Sequence, residues 1–238
     1  MKKLLVLAAM MVSSVVFADE FKIQNSMTQS QFQDLSKEMG QMVTPTPNSP
    51  AEPLKTLGFD IALETTLVNI SDGDSHWKNA WDNGDPDSMA LLYRVHVQKG
   101  FPFGIDLGLS VTKGTNIDFT AITGEVKYAI LKGTTVTPAL SVKGSYTKVF
   151  GLDDIDLQTL SAGIYVSKGI LMFTPYGGLE TVYTMASDDS DADLDDENVN
   201  AVRGIVGLQF SPLPLISING EIAVGTVTSY GLKAGLRF

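Results

Sequence analysis

From Leu57 to Phe238 the chain alternates apolar and polar side chains with a period of two, and that alternation limits most strongly what it can fold into. Candidate strands cover 57–70, 88–98, 103–113, 117–131, 135–149, 157–167, 171–185, 199–210, 215–226 and 228–238. Three interruptions share one form, Lys99-Gly100, Lys132-Gly133 and Lys168-Gly169, at separations of 33 and 36 residues. That interval is expected of a repeated up-and-down hairpin. Five hairpins give ten strands; eight and twelve are the alternatives.

One face of these strands is apolar throughout. It carries Phe59, Ile61, Leu63 and Leu67, then Leu91, Tyr93, Val95 and Val97, then Ile105, Leu107, Leu109 and Val111. Near the end it carries Ile216, Ile218, Ile222 and Val224, then Tyr230, Leu232, Leu236 and Phe238. The other face carries Asp60, Glu64, Arg94, His96, Asp106, Glu125, Lys127, Lys143, Glu180, Arg203, Glu221, Lys233 and Arg237, interspersed with Gly, Ser and Thr. A soluble sandwich also alternates, but there the apolar face is a closed core and the charges meet water. Here the apolar stripes run the length of strands of 11 or more residues, and a membrane-spanning strand needs about 9–11. A Lys or Arg facing lipid costs roughly 2–4 kcal/mol at the midplane, and the apolar stripe has none across its middle. The expected fold is all-β: a transmembrane, antiparallel, up-and-down β-barrel with its charges enclosed.

Ahead of the strands, Lys2 and Lys3, the apolar stretch Leu4 to Val16 and the exit Val16-Phe17-Ala18 read as an export signal over 1–18. Residues 19–56 lack alternation. Phe32, Leu35, Met39 and Met42 recur there at helical spacing behind Ser30 and Gln33, which stand as a capping box. The run from Thr44 to Pro53, with four prolines, can be neither helix nor central strand. Three readings stay open for this segment: a plug inside the barrel, a periplasmic contact, or a solvated leader. The barrel itself occupies 57–238. With the segment on the periplasmic side, the long connections 71–87, 150–156 and 186–198 lie outside the cell and the short ones inside, the usual asymmetry of such barrels.

The last strand, Tyr230-Gly231-Leu232-Lys233-Ala234-Gly235-Leu236-Arg237-Phe238, resembles the terminal strand of outer-membrane proteins, with Tyr230, Leu232, Leu236 and Phe238 as its alternate apolar positions. Lys233 stands where that pattern has Gly. The barrel portion as a whole resembles small Gram-negative outer-membrane β-barrel proteins of unassigned function. The resemblance implies the cell outer membrane, contact with its lipid and lipopolysaccharide, recognition by the barrel-assembly machinery, and no particular activity.

Formal charge is −10, and removing Lys2 and Lys3 takes it to −12, too acidic for a nucleic-acid surface. With no cysteine, disulfides contribute nothing. The enclosed face holds six acids and six bases, which in a lumen of about ten strands should pair across strands and fill it. A charge-paired, narrow interior is therefore expected, with a small passive pore as the alternative. The negative charge gathers in the outer loops, above all at Asp188, Asp189, Asp191, Asp193, Asp195, Asp196 and Glu197. These oxygens suit weakly held Ca²⁺ or Mg²⁺, although Leu194 occupies the place where a calcium loop needs Gly. No other cofactor is implied. Trp77 and Trp81, beside His76, are expected to anchor the first outer loop at the membrane interface, or else to form a binding patch. His96 is expected to pair with a lumen carboxylate. No base-orienter arrangement is recognisable, so a non-catalytic protein is expected.

Overall fold

The computed structural model describes residues 21–54, 56–82, 86–115 and 117–238, and the expected export signal lies outside them. Ten strands follow one another: β1 (Phe59–Asn69), β2 (Met89–Phe101), β3 (Ile105–Gly114), β4 (Thr120–Lys132), β5 (Ala139–Phe150), β6 (Ile155–Ser167), β7 (Phe173–Asp188), β8 (Glu197–Leu213), β9 (Ile216–Val224) and β10 (Thr228–Arg237). Each pairs antiparallel with its sequence neighbours, and β1 closes on β10 from Asp60 opposite Arg237 to Asn69 opposite Thr228. Closure leaves no unpaired edge, which is what an array of strands needs in hydrocarbon. No helix among the described residues is long and apolar enough to cross a membrane.

The two faces separate as the period-two pattern dictates. Outward stand Leu63, Tyr93, Val95, Leu109, Val126, Ile164, Leu179, Val206 and Leu232, all exposed. The charged strand residues that point outward are Lys99, Lys113, Lys132, Lys148 and Asp156, each within two residues of a strand end. An apolar girdle free of charge over its middle is stable against lipid and not against water. Inward, close packing needs relief where bulky rings sit: a Cβ on Gly207 would lie 2.3 Å from the Tyr176 ring on the neighbouring strand.

Three local expectations change. Lys99-Gly100 is not a turn. Gly100 continues β2 and exchanges backbone hydrogen bonds with the residues before β1, Leu57 N donating to Gly100 O and Gly100 N to Gly58 O. The chain reverses at the 3₁₀ turn Pro102–Gly104, where Phe103 takes φ 67°. In the strand expected over 117–131, Ile117 and Phe119 share the parity of the enclosed Glu125 and Lys127. The register runs unbroken from Thr112 opposite Ala121 to Lys113 opposite Thr120, so β4 simply starts after Phe119. Trp77 and Trp81 anchor nothing at the membrane surface. Trp77 is wholly buried and Trp81 nearly so, both inside the end of the barrel that carries the long loops.

That long-loop end holds an apolar cluster. Val68, Ile70, Ala90, Leu92, Ile117, Phe119, Val149, Ile155 and Leu157 point inward and surround helix α1 (Gln29–Val43). The capping box that starts α1 lies two residues earlier than expected, at Thr28 and Gln31 and not at Ser30 and Gln33: the Thr28 hydroxyl serves the Gln31 amide while the Gln31 side chain accepts from Thr28 N. Its stripe of Phe32, Leu35, Met39, Met42 and Val43 is buried against the barrel. The short helix α2 (Ser75–Lys78), in the β1–β2 loop, covers it from above.

Candidate functional site: the occupied lumen

Below α1 the chain continues as an extended strap, residues 44–54, and most of it is buried. A polar backbone taken out of water must find partners, and the strap finds them in the charged inner face. Arg203 Nη1 donates to Gln41 O at 3.0 Å, and its Nη2 to Thr44 O at 3.0 Å and Pro45 O at 3.2 Å. Arg94 Nη2 donates to Thr46 O at 3.1 Å. Lys127 Nζ donates to Glu52 O at 3.1 Å. The acids take the amides: Asn48 N donates to Glu221 at 2.9 Å, and Leu54 N to both oxygens of Asp106 at 3.0 and 3.1 Å. Ala51 N donates to Ser167 Oγ at 3.0 Å, and the Thr44 and Thr159 hydroxyls share a hydrogen bond of 2.6 Å. Bases donate to strap carbonyls, acids accept from two strap amides, and wall hydroxyls serve the Ala51 amide and the Thr44 side chain.

The same side chains pair with one another. Glu64 opposite Arg94, Asp106 opposite Lys127 and Glu180 opposite Arg203 are cross-strand partners in register. Arg94 Nε lies 2.9 Å from Glu64, Lys127 Nζ 3.1 Å from Asp106, and Arg203 Nε 2.7 Å from Glu180. Lys143 meets Glu125 at 2.7 Å, and Asp60 is shared by Lys233 at 3.3 Å and Arg237 at 3.4 Å. His96 bridges two carboxylates, Glu125 at 3.1 Å through Nε2 and Glu64 at 3.3 Å through Nδ1. Glu221 alone of the six acids has no Lys or Arg within 4.0 Å among the described residues; it accepts from Asn48 N of the strap. Beside the end of α1 a cavity of about 20 Å³ remains, lined by Met42, Thr46, Thr66, Leu92 and Arg94 among others. That is space for about one water.

At the long-loop mouth the helix is fastened by a polar contact that no sequence pattern announced. Glu38 is buried, and it accepts from Trp77 Nε1 at 2.7 Å and Ser71 N at 3.2 Å, while His76 Nε2 lies 3.2 Å away. Burial pushes its carboxyl up, but the hydrogen bonds from His76, Trp77 and Ser71 outweigh this and hold it below the ordinary carboxylate value.

The acidic loop does not close on a point. Asp188 accepts from Ser190 N at 3.0 Å, Ser190 Oγ at 2.6 Å and Leu194 N at 2.9 Å, so it shapes its own loop. Glu197 accepts from Gln29 of α1 at 2.6 Å and from Gln33 at 3.2 Å. Asp189, Asp191, Asp193, Asp195 and Asp196 are exposed. Among the described residues no three His, Asp or Glu side chains gather as a metal would need. In β10, Tyr230, Leu232, Leu236 and Phe238 all face outward, and the Phe238 ring stacks on Phe59 with centroids 5.9 Å apart.

No protein-family model matches the chain, and no curated protein matches it. Solved structures do. The KdgM porin matches at 8% identity with a TM-score of 0.41, over 75% of this chain and 99% of that one. Ail, the attachment invasion locus protein of Yersinia pestis, matches at 15% with a TM-score of 0.35, over 77% and 99%. The Acinetobacter baumannii outer membrane protein Omp33 matches at 8% with a TM-score of 0.37, over 76% and 98%. Likeness at that level concerns the fold and says nothing of activity.

Proposed function

We propose that this chain is an exported outer-membrane β-barrel, non-catalytic, whose lumen is sealed by its own amino-terminal segment and whose acidic loops serve structural or surface-interaction roles. The observation that carries the reading is the hydrogen bonding of the strap backbone by Arg203, Arg94, Lys127, Glu221 and Asp106. A transport pore leaves such charges to water; here the chain itself consumes them. The apolar girdle supports insertion in lipid, and the outward Tyr230, Leu232, Leu236 and Phe238 support recognition by the barrel-assembly machinery. On this reading lipid and lipopolysaccharide are the partners of the barrel wall.

Planar-bilayer conductance tests it. The full chain gives no steps, or small and poorly ion-selective ones, while Leu35→Asp, which buries a charge in the apolar cluster and loosens the helix, gives larger ones. Large steady steps from the unaltered chain would overturn the sealed lumen in favour of the passive pore.

A further inference from the structure

The amino-terminal segment has a direction, and the direction has a consequence. Its far end, the strap, meets the barrel at the rim of short turns. Leu54 N donates to Asp106, the second residue of β3, and Leu57 N donates to Gly100 O beside the Pro102–Gly104 turn. Its near end meets the opposite rim. Phe21 forms an antiparallel bridge with Trp81, Lys22 N donates to Ala80 O at 3.0 Å, and Gln24 N to Asn79 O at 2.9 Å. Residues 21–24 thus add a short extended edge to the β1–β2 loop. Ile23 N also donates to Asp154 at 2.8 Å, in the β5–β6 connection, and Gln29 exchanges hydrogen bonds with Asp195 in the β7–β8 connection. Three long loops are stitched to one stretch of chain.

Length agrees with this path. Helix α1, at about 1.5 Å per residue over its 15 residues, spans roughly 22 Å. The strap, at most about 3.1 Å per residue and turned at Asn48 (φ 41°), adds up to roughly 34 Å. Together they exceed the ~40–45 Å of a bilayer with its headgroups.

We propose that the barrel presents its own amino-terminal end on the outside of the cell: residues 21–26 emerge at the outer mouth and form, with the loops around Asn79, Asp154 and Asp195, a single composite cap. Lys22, Asn25 and Ser26 are its exposed part, so a partner arriving from outside meets this strip and the loops together. The inference rests on the proposed orientation, in which the long loops are extracellular.

The chain contains no cysteine, so single substitutions report location cleanly. Lys22→Cys, Asn25→Cys, Asp191→Cys and Thr135→Cys each alter an exposed residue. With a membrane-impermeant maleimide on intact cells, Lys22→Cys and Asn25→Cys label as fully as Asp191→Cys, whereas Thr135→Cys, in a short turn, reacts only after the outer membrane is permeabilised. Labelling of either amino-terminal position on intact cells supports the inference. Protection of both, with Asp191→Cys labelled, overturns it and leaves the orientation standing. Protection of Asp191→Cys with labelling of Thr135→Cys reverses the orientation and removes the inference with it.

Discussion

Trp77 donates its indole N–H to Glu38 at 2.7 Å, the shortest of the contacts by which Glu38 ties the β1–β2 loop to the helix inside the barrel. The carboxyl of Glu38 titrates below its ordinary value of 4.5. A group lowered in the folded state contributes stability that is complete above its unfolded value and is lost as pH falls through the lowered one. Acidification from pH 5 downward should therefore loosen the loop from the helix and shift tryptophan emission to the red. Glu38→Gln should lower stability by about 1–3 kcal/mol at neutral pH and flatten that acid transition. A transition of unchanged size in Glu38→Gln would assign it to another group.

Arg203 binds Glu180 and three strap and helix carbonyls at once. Arg203→Met leaves Glu180 buried without its cation, which costs about 3–5 kcal/mol. Arg203→Lys should rescue little of it, since one ammonium cannot reproduce the fork. Glu180→Met combined with Arg203→Met should be milder than Arg203→Met alone. Denaturant midpoints of the unaltered chain, Arg203→Met, Glu180→Met and the double variant measure the coupling, and Arg203→Lys is compared with them.

Gly40 is the point of closest approach between helix and wall: a Cβ there would lie 1.8 Å from Thr184 Oγ1 and 2.8 Å from Thr184 Cβ. No rotamer change moves Thr184 Cβ, so Gly40→Ala should destabilise by about 1–3 kcal/mol through overpacking. Adding Thr184→Gly should restore most of the loss, and thermal unfolding of the single and double variants reads it directly.

Asp188 supports the β7–β8 connection through the amides of Ser190 and Leu194. Asp188→Ala should make residues 189–196 markedly more sensitive to added protease on intact cells while leaving the barrel folded. Because no carboxylates converge there, millimolar Ca²⁺ should not protect the variant. Calorimetric heat from Ca²⁺ binding to the unaltered loop would contradict this account of its order.

The barrel was legible because its strands obey one rule over most of their length, a change of face at every residue, broken only where the register shifts after Ala129 in β4 and after Phe210 in β8. Ten strands, their order and the enclosure of Asp60 through Arg237 all follow from that rule. The occupant of the lumen was less legible. Phe32, Leu35, Met39 and Met42 gave the helix, but an amphipathic helix can lie on many surfaces, and nothing local says which. A signal did exist in the strands. At their outer ends both faces turn apolar, as at Leu67-Val68 and Leu91-Leu92, and Ile117 and Phe119 break the expected parity. Inward apolar residues in an otherwise polar lumen require an apolar guest. The tryptophans were misread for the same reason: their four-residue spacing fits an interfacial anchor as well as a short helix folded over the mouth. Glu38, Gln41 and Asn48 could not be found at all, because single polar residues in a loop or helix carry no period.

The strap contains Pro45, Pro47, Pro50 and Pro53, and a proline brings no amide hydrogen. A threaded segment so poor in donors cannot zip onto the wall as an eleventh stave, even though it lies extended among ten others. The number of strands is thereby protected from the very piece of chain that occupies their centre, and the meeting of β1 with β10 stays the one way for the cylinder to shut.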